Sequence, residues 1–385
     1  MKRATLAQSR FRTLLAHSRL FRPFAFAAII AALTASAAAQ NNLSLGSSER
    51  TELLFLGTSG GPPLRANRSE PSTLLIVDGR PYLIDCGIGT MKRLLQAHID
   101  SERITTIFFT HLHADHDLGL ADVMGNDFFR LRAASSNSNI QIYGPPQTKL
   151  FVDVAFHYIT FGFRAFAAEP DSLGPGATGT ELKSPFVAHE IQADGLAYQD
   201  DKIRVIAGEN THYALMPAES RRRMKSFSYR IETPHGVIVF TGDTGPSDAV
   251  ARLAKGADVL VTEVHDSSQI ANYVKAMVAT NHWPPQRAAW FIAHARQEHM
   301  DEKEVGDLAS KAQVKSVVLY HYNPINPADY VAKVKTYFSG PVFASADLER
   351  YCLDNAETGG AEKQPALRLC GKPPVDQPKG ASGIR

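Results

Sequence analysis

The chain is poor in cysteine, in long apolar runs and in net positive charge, and each shortage excludes something. Only Cys86, Cys352 and Cys370 are present in 385 residues, too few for a disulfide-built scaffold. The count is odd, so one thiol stays unpaired. In an oxidising compartment Cys352 and Cys370 can close a loop that ties down the C-terminal tail, while Cys86, after the strand-like Tyr82-Leu83-Ile84-Asp85, reads as a buried thiol. The sequence leaves that disulfide open against free thiols.

Apart from one segment near the N-terminus, no run is long or apolar enough to cross a bilayer. That segment, Phe24–Leu33, lies between a basic region (Lys2, Arg3, Arg10, Arg12, Arg19, Arg22) and the small residues Ser36-Ala37-Ala38-Ala39. The three parts together predict a secretory signal peptide over 1–39, cleaved after Ala39, and a periplasmic or secreted protein. The apolar stretch is shorter than the ~20 residues of a membrane span, and no twin-arginine pair is found in the leader.

The net charge of +2 comes from this leader. Residues 1–39 hold six of the 41 Lys+Arg and no acid, leaving 35 bases against 39 acids, a balance of −4. Between residues 157 and 202 seven acids face three bases. No basic clamp for nucleic acid is visible there. The content, 44% hydrophobic and 21% charged, is that of a globular domain with a sizeable core.

What the chain does have is Thr110-His111-Leu112-His113-Ala114-Asp115-His116-Asp117, directly after the apolar run Ile104–Phe109. Such a run reads as a buried strand, so the cluster sits where a strand stops. Imidazole and carboxylate suit zinc and its first-row neighbours, with manganese or iron as alternatives. His111 and His113, two apart, can point the same way, and Asp115 and His116 can face a second ion. One cluster cannot close two sites, so distant ligands are required. His212, Asp243 and His321 each follow a predicted strand and can supply them.

Predicted strands begin at Glu52–Leu56. Ser72–Val77 and Pro81–Cys86 are joined by the hairpin signal Asp78-Gly79, and further strands and helices alternate through Tyr337. The turn Gly57–Pro63 reads as plain turn chemistry. Residues 161–183 read as an irregular connection, and the chain beyond Asn355 as loose. Hairpins followed by helices, twice over, predict two facing sheets with helices outside.

The motifs Phe55-Leu56-Gly57-Thr58-Ser59-Gly60, His111–His116, Thr211-His212, Phe240–Thr244 and Leu319-Tyr320-His321 resemble the metallo-β-lactamase superfamily. Within it they are most similar to the zinc phosphodiesterase branch holding ribonuclease Z and arylsulfatase-like proteins. The resemblance implies an α/β fold, the αβ/βα four-layer sandwich, over 51–352, after a joint at 40–50 and before a loose tail at 353–385. It also implies two zinc ions per chain. His111, His113 and His212 would hold one, Asp115, His116 and His321 the other, and Asp243 would bridge. A metal-held hydroxide oriented by Asp115 would attack the ester. Glu263 and His299 match branch positions that act at the leaving group, although Met300 stands where the branch has Ser or Thr. His157, His265 and His282 read as structural or surface histidines.

The expected activity is hydrolysis of a phosphodiester, or of a sulfate or phosphate ester, of small or moderate size, with nucleic acid disfavoured as a partner. The alternatives are a tRNA 3′-processing endoribonuclease and a lactone, β-lactam or carboxylic-ester hydrolase. A binding protein that keeps metal only as scaffold is a further, non-catalytic reading.

Overall fold

Alternation along the strands sets which face each one buries. In Val259-Leu260-Val261, Val259 and Val261 pack into one apolar cluster and Leu260 into another. A strand apolar on both faces is covered on both. The computed structural model describes residues 49–371 except 62, 134–138, 168, 170–182, 324–325 and 356–364. The leader and residues 372–385 lie outside the described residues.

In chain order the strands are β1 (Thr51–Gly57), β2 (Ser72–Val77), β3 (Arg80–Ile84), β4 (Thr106–Phe108), β5 (Ile140–Gly144), β6 (Phe186–Glu190), β7 (Gly195–Gln199) and β8 (Arg204–Glu209). They continue with β9 (Phe227–Thr233), β10 (Gly236–Phe240), β11 (Val259–Thr262), β12 (Ser316–Leu319), β13 (Val342–Ala344), β14 (Arg350–Asn355) and β15 (Pro365–Gly371). One sheet has the order β15-β14-β1-β2-β3-β4-β5-β6, the other β13-β12-β11-β10-β9-β8-β7. Both are mixed: β3 to β6 and β10 to β13 are parallel, while the remaining neighbours are antiparallel.

Leu53, Phe55, Tyr82 and Phe108 of the first sheet meet Val205, Tyr229, Phe240 and Val261 of the second in the central core. The outer face of the second sheet, through Val239, Leu260 and Val317, packs on Val250, Val305 and Leu308 of the helices Asp248–Leu253 and Glu302–Ala312. Two facing mixed sheets with helices outside are thus present as expected. No helix among the described residues is long and apolar enough to cross a membrane.

Two expectations fail. The helix Thr148–Ala167 runs into the stretch expected to be irregular. The tail expected to be loose contains β15, which pairs antiparallel with β14 and is bonded to it through Cys352–Cys370. Backbone pairing and the disulfide order a segment whose side chains alone carry a weak pattern. Cys86 is the free, buried thiol.

Candidate metal centre

The centre stands where strands stop. β10, β11 and β12 are parallel, and β8 runs with β10 because two antiparallel steps restore its direction. Residues just past these strands therefore reach one rim: His212, Asp243, Glu263 and His321. His111 and His113 follow β4, and the helical turn Ala114–Asp117 adds Asp115 and His116. The spaced histidines and acids expected from the sequence are brought together.

Ligand-type atoms of His111, His113 and His212 lie within 4.8 Å of one another, as do those of Asp115, His116, Asp243 and His321. Asp243 faces both groups. Its Oδ1 is 3.3 Å from His116 Nε2, and its Oδ2 is 3.3 Å from His321, 3.9 Å from His212 and 4.0 Å from His111 Nε2. His111 Nε2, His116 Nε2 and Asp243 Oδ1 are buried without a hydrogen-bond partner, so the short His116–Asp243 approach is not an aligned hydrogen bond. Orphaned buried polar atoms are costly. Three of them converging with further imidazoles and carboxylates fit divalent cations of the zinc type.

The outer contacts fix the rings. A carboxylate or carbonyl oxygen only accepts, so His116 Nδ1 donates to Asp85 Oδ2 at 2.9 Å and His212 Nδ1 donates to the Glu298 carbonyl at 2.9 Å. Each turns Nε2 toward the centre, that of His212 lying 3.0 Å from His113 Nδ1, the usual device for presenting a metal ligand. Asp85 also accepts from the Thr110 backbone N–H at 2.8 Å. It adopts φ 55°, rare for a residue with a side chain.

Beside the clusters, Glu263 Oε2 lies 2.6 Å from His299 Nδ1, and its Oε1 accepts from the Thr244 N–H at 2.6 Å. His299 Nε2 faces His294 Nε2 at 3.2 Å, and His294 Nδ1 is 2.5 Å from Glu298 Oε2. Burial pushes the Glu263 carboxyl well up, with Asp243 adding to it, and burial with His212 nearby drives His299 well down. Asp243 goes the other way: against burial, His321 and His116 hold it well below the usual carboxylate range. Asp115, likewise opposed by burial, is held down to about 2 by His116 and His321.

A cavity of about 130 Å³ opens above the centre, lined by Gly61, Asp115, Asp243, Glu263, His299 and His321 among others. Gly61 cannot be plain turn chemistry: a Cβ there would lie 2.2 Å from Asp115 Oδ2. His265 borders the cavity too, while His157 and His282 are exposed, as expected of surface histidines. Met300 is buried in the outer core. Sequence reasoning missed Asp85, Gly61, His294 and Glu298. Of these, only the His294–Glu298 spacing of four on a helix carried a readable signal.

A model of the "Beta-lactamase superfamily domain" matches residues 80–322. The chain belongs to the β-lactamase superfamily. Ribonuclease Z of Mycobacterium sp. (strain KMS) is 30% identical over 307 residues, covering 78% of this chain and 95% of that protein, which puts the chain in the ribonuclease Z branch. Among solved structures, the metallo-β-lactamase fold protein YhfI of Bacillus subtilis aligns with TM-score 0.56 at 16% identity, over 79% of this chain and 99% of its own. The short form of human tRNase Z aligns with TM-score 0.53 at 21% identity, over 78% and 98%. These two show the fold. As a member of this superfamily branch the protein is a metal-dependent hydrolase acting on ester bonds.

The expectation of a small ester substrate, with nucleic acid disfavoured, is overturned by the ribonuclease Z relatives. The physical reason for the error is local. Residues 157–202 are acidic, whereas a run of bases lies later, in Arg221-Arg222-Arg223-Met224-Lys225. The three arginines are exposed.

Proposed function

We propose that the protein is an RNA phosphodiesterase of the ribonuclease Z kind, exported and using two zinc ions. The observation that carries the reading is Asp243, set between a three-histidine group and a group of Asp115, His116 and His321. One ion would be held by His111, His113 and His212, the other by Asp115, His116 and His321, with Asp243 common to both. Zinc, when bound, lowers the pKa of water and neutralises phosphate charge.

The chain's own residues do the rest. Asp115, at the cavity wall, would accept a hydrogen bond from the attacking water and aim it. His299 lines the cavity; with the raised Glu263 carboxyl donating to its Nδ1, the neutral ring carries its N–H on Nε2, which would go to the departing ribose oxygen as the Glu263 proton passes to Nδ1. Gly61 keeps the wall thin beside Asp115, leaving the cavity open over the centre. Export is supported by the leader pattern and by the Cys352–Cys370 disulfide, a bond that persists in oxidising compartments.

The test is zinc content and cleavage of a precursor tRNA by the mature protein, wild type beside Asp115→Ala, with bis-p-nitrophenyl phosphate as a second substrate. Two zincs with RNA cleavage lost in the variant support the reading. Zinc-loaded protein that leaves RNA intact sinks it. Fractionation of the native host for the mature protein tests export separately.

A further inference from the structure

Beside the metal centre lies a second, larger groove of about 670 Å³. His113, Asp115 and His294 line both this groove and the cavity over the centre, so the two adjoin. One side is the helical hairpin Ser267–Asn281 and Pro285–Gln297; the other is the loop Tyr213–Pro217. The chain has only two tryptophans, Trp283 and Trp290, and both line it.

The aromatic surface is presented rather than buried. Trp290 is 54% exposed and Tyr273 39%. Trp290 stacks on His294 with 5.2 Å between ring centres and 12° between planes, which sets its ring against the edge of the centre. The Arg287 guanidinium lies 4.5 Å over the Trp283 ring. Large aromatic faces left in water beside a reaction centre mark a place where flat groups bind.

Charge narrows the choice of group. Four residues after Pro217, which lines the groove, at the end of the short helix Ala218–Arg221, begin the exposed Arg221, Arg222 and Arg223. Arg222 pairs with Glu219 at 2.6 Å and Lys225 with Glu209 at 2.5 Å, whereas Arg221 and Arg223 form no ion pair among the described residues. Beyond residue 39 the chain carries 35 bases against 39 acids, so three consecutive arginines here run against the background. Flat rings together with uncommitted arginines are the two halves of single-strand nucleic acid recognition: bases stack, phosphates pair.

We infer that this groove is a stacking platform for unpaired RNA bases beside the scissile phosphate, with Trp290 and Tyr273 taking bases and Arg221 and Arg223 taking phosphates. The inference rests on the RNA reading above and adds to it that the segment gripped is single-stranded.

The probe is an oligoadenosine decamer, titrated into zinc-loaded His299→Ala protein, whose slow hydrolysis leaves the decamer intact, while tryptophan emission and affinity are followed. Because both tryptophans line the groove, its occupation reads out directly as a change in emission. Trp290→Ala should weaken binding within the roughly 5- to 150-fold range of one base stack; Trp290→Phe, which keeps a flat ring, should restore most of it. A decamer of abasic ribose phosphates, equal in charge, should bind poorly and leave the emission unchanged. Replacing Arg221 and Arg223 with Ser should flatten the salt dependence by about 0.7 per lost phosphate contact.

Equal affinity for the abasic and adenine decamers, or no effect of Trp290→Ala, overturns the inference. So does loss of p-nitrophenyl ester hydrolysis in Trp290→Ala on the otherwise wild-type protein with RNA affinity intact, which assigns the groove to a small ring compound. The two proposals fail separately. Wild-type cleavage of precursor tRNA with no Trp290 dependence removes only the groove. Trp290-dependent decamer binding without any cleavage removes only the ribonuclease.

Discussion

His294 and His299 face each other through their Nε2 atoms at 3.2 Å, and each is anchored at Nδ1 by its own carboxylate, Glu298 and Glu263. The Glu263 carboxyl, pushed well up by burial, donates to His299 Nδ1, which leaves the N–H of the neutral ring on Nε2, pointing at His294 Nε2. That arrangement holds an exchangeable proton beside the cavity. Replacing His299 with Ala is expected to lower kcat by about 100- to 10,000-fold, the usual loss for a general acid, with zinc content unchanged. His294→Ala should cost less, and the double variant should cost no more than His299→Ala alone, since the two act as one unit. Steady-state kinetics with metal analysis on the three variants checks this; additive losses would argue that the histidines act independently.

Asp85 makes no contact with the cavity, yet it fixes His116 through Nδ1. Its removal frees that ring to rotate and makes it a weaker base. Asp85→Ala is expected to weaken zinc binding about 10- to 100-fold, measured by competition with a chelator of known affinity. Unchanged affinity would mean that packing alone holds His116.

Gly61→Ala places a methyl group 2.2 Å from Asp115 Oδ2. The loop or the carboxylate must move. Because a 1 Å misplacement at a reaction centre can cost about 100-fold, kcat should fall sharply while thermal stability changes little. A variant with wild-type turnover would show that Asp115 does not aim the reacting water.

The candidate ligands were legible because metal sites need few residue types and because this fold places most of them just past strand ends. His111 to His116 are contiguous, and Asp243 and His321 each close an apolar run of five or so residues, visible to period counting. Asp85 was not legible. It too ends a strand, but its role depends on a left-handed backbone, φ 55°, that turns the carboxylate toward His116, and no residue type announces that. His294 lies in the last turn of its helix, where its spacing from the C-cap Glu298 competes with ordinary surface pairing. The strands β7, β13, β14 and β15 sit at or beside sheet edges, where half the pattern faces solvent and alternation fades. Nucleic acid was not legible because the acidic stretch 157–202 and the basic run Arg221–Lys225 lie apart in the chain, so neither total charge nor the first stretch announces the second.

The Cys352–Cys370 bond closes a loop with a separation of 18 residues and ties the edge strand β15 to β14. Closing a loop of about 15 residues restricts the unfolded chain by about 3 kcal/mol. Reduction, or Cys370→Ser, should therefore lower the melting temperature and expose 365–371 to protease without abolishing zinc binding, since no ligand lies on β14 or β15. Loss of the metal would instead make the edge strand part of the centre.

Asp127, fully buried on the helix Leu120–Ala133, offers a pH test far from any ligand. Burial pushes its carboxyl up to about 6 from 3.8, although Ser101 and Asn126 donate to Oδ1; Oδ2 has no partner. The folded state thus binds this proton more tightly than the unfolded chain. Its contribution is fully present below about pH 4, declines as pH rises and is lost above about 6; two units correspond to about 3 kcal/mol at most. Asp127→Asn keeps the shape without the charge, so it should melt higher than wild type at pH 7.5 and lose the advantage by pH 4. Parallel melting curves at the two pH values decide it: if the variant is no more stable at pH 7.5, the buried carboxylate is compensated in the fold.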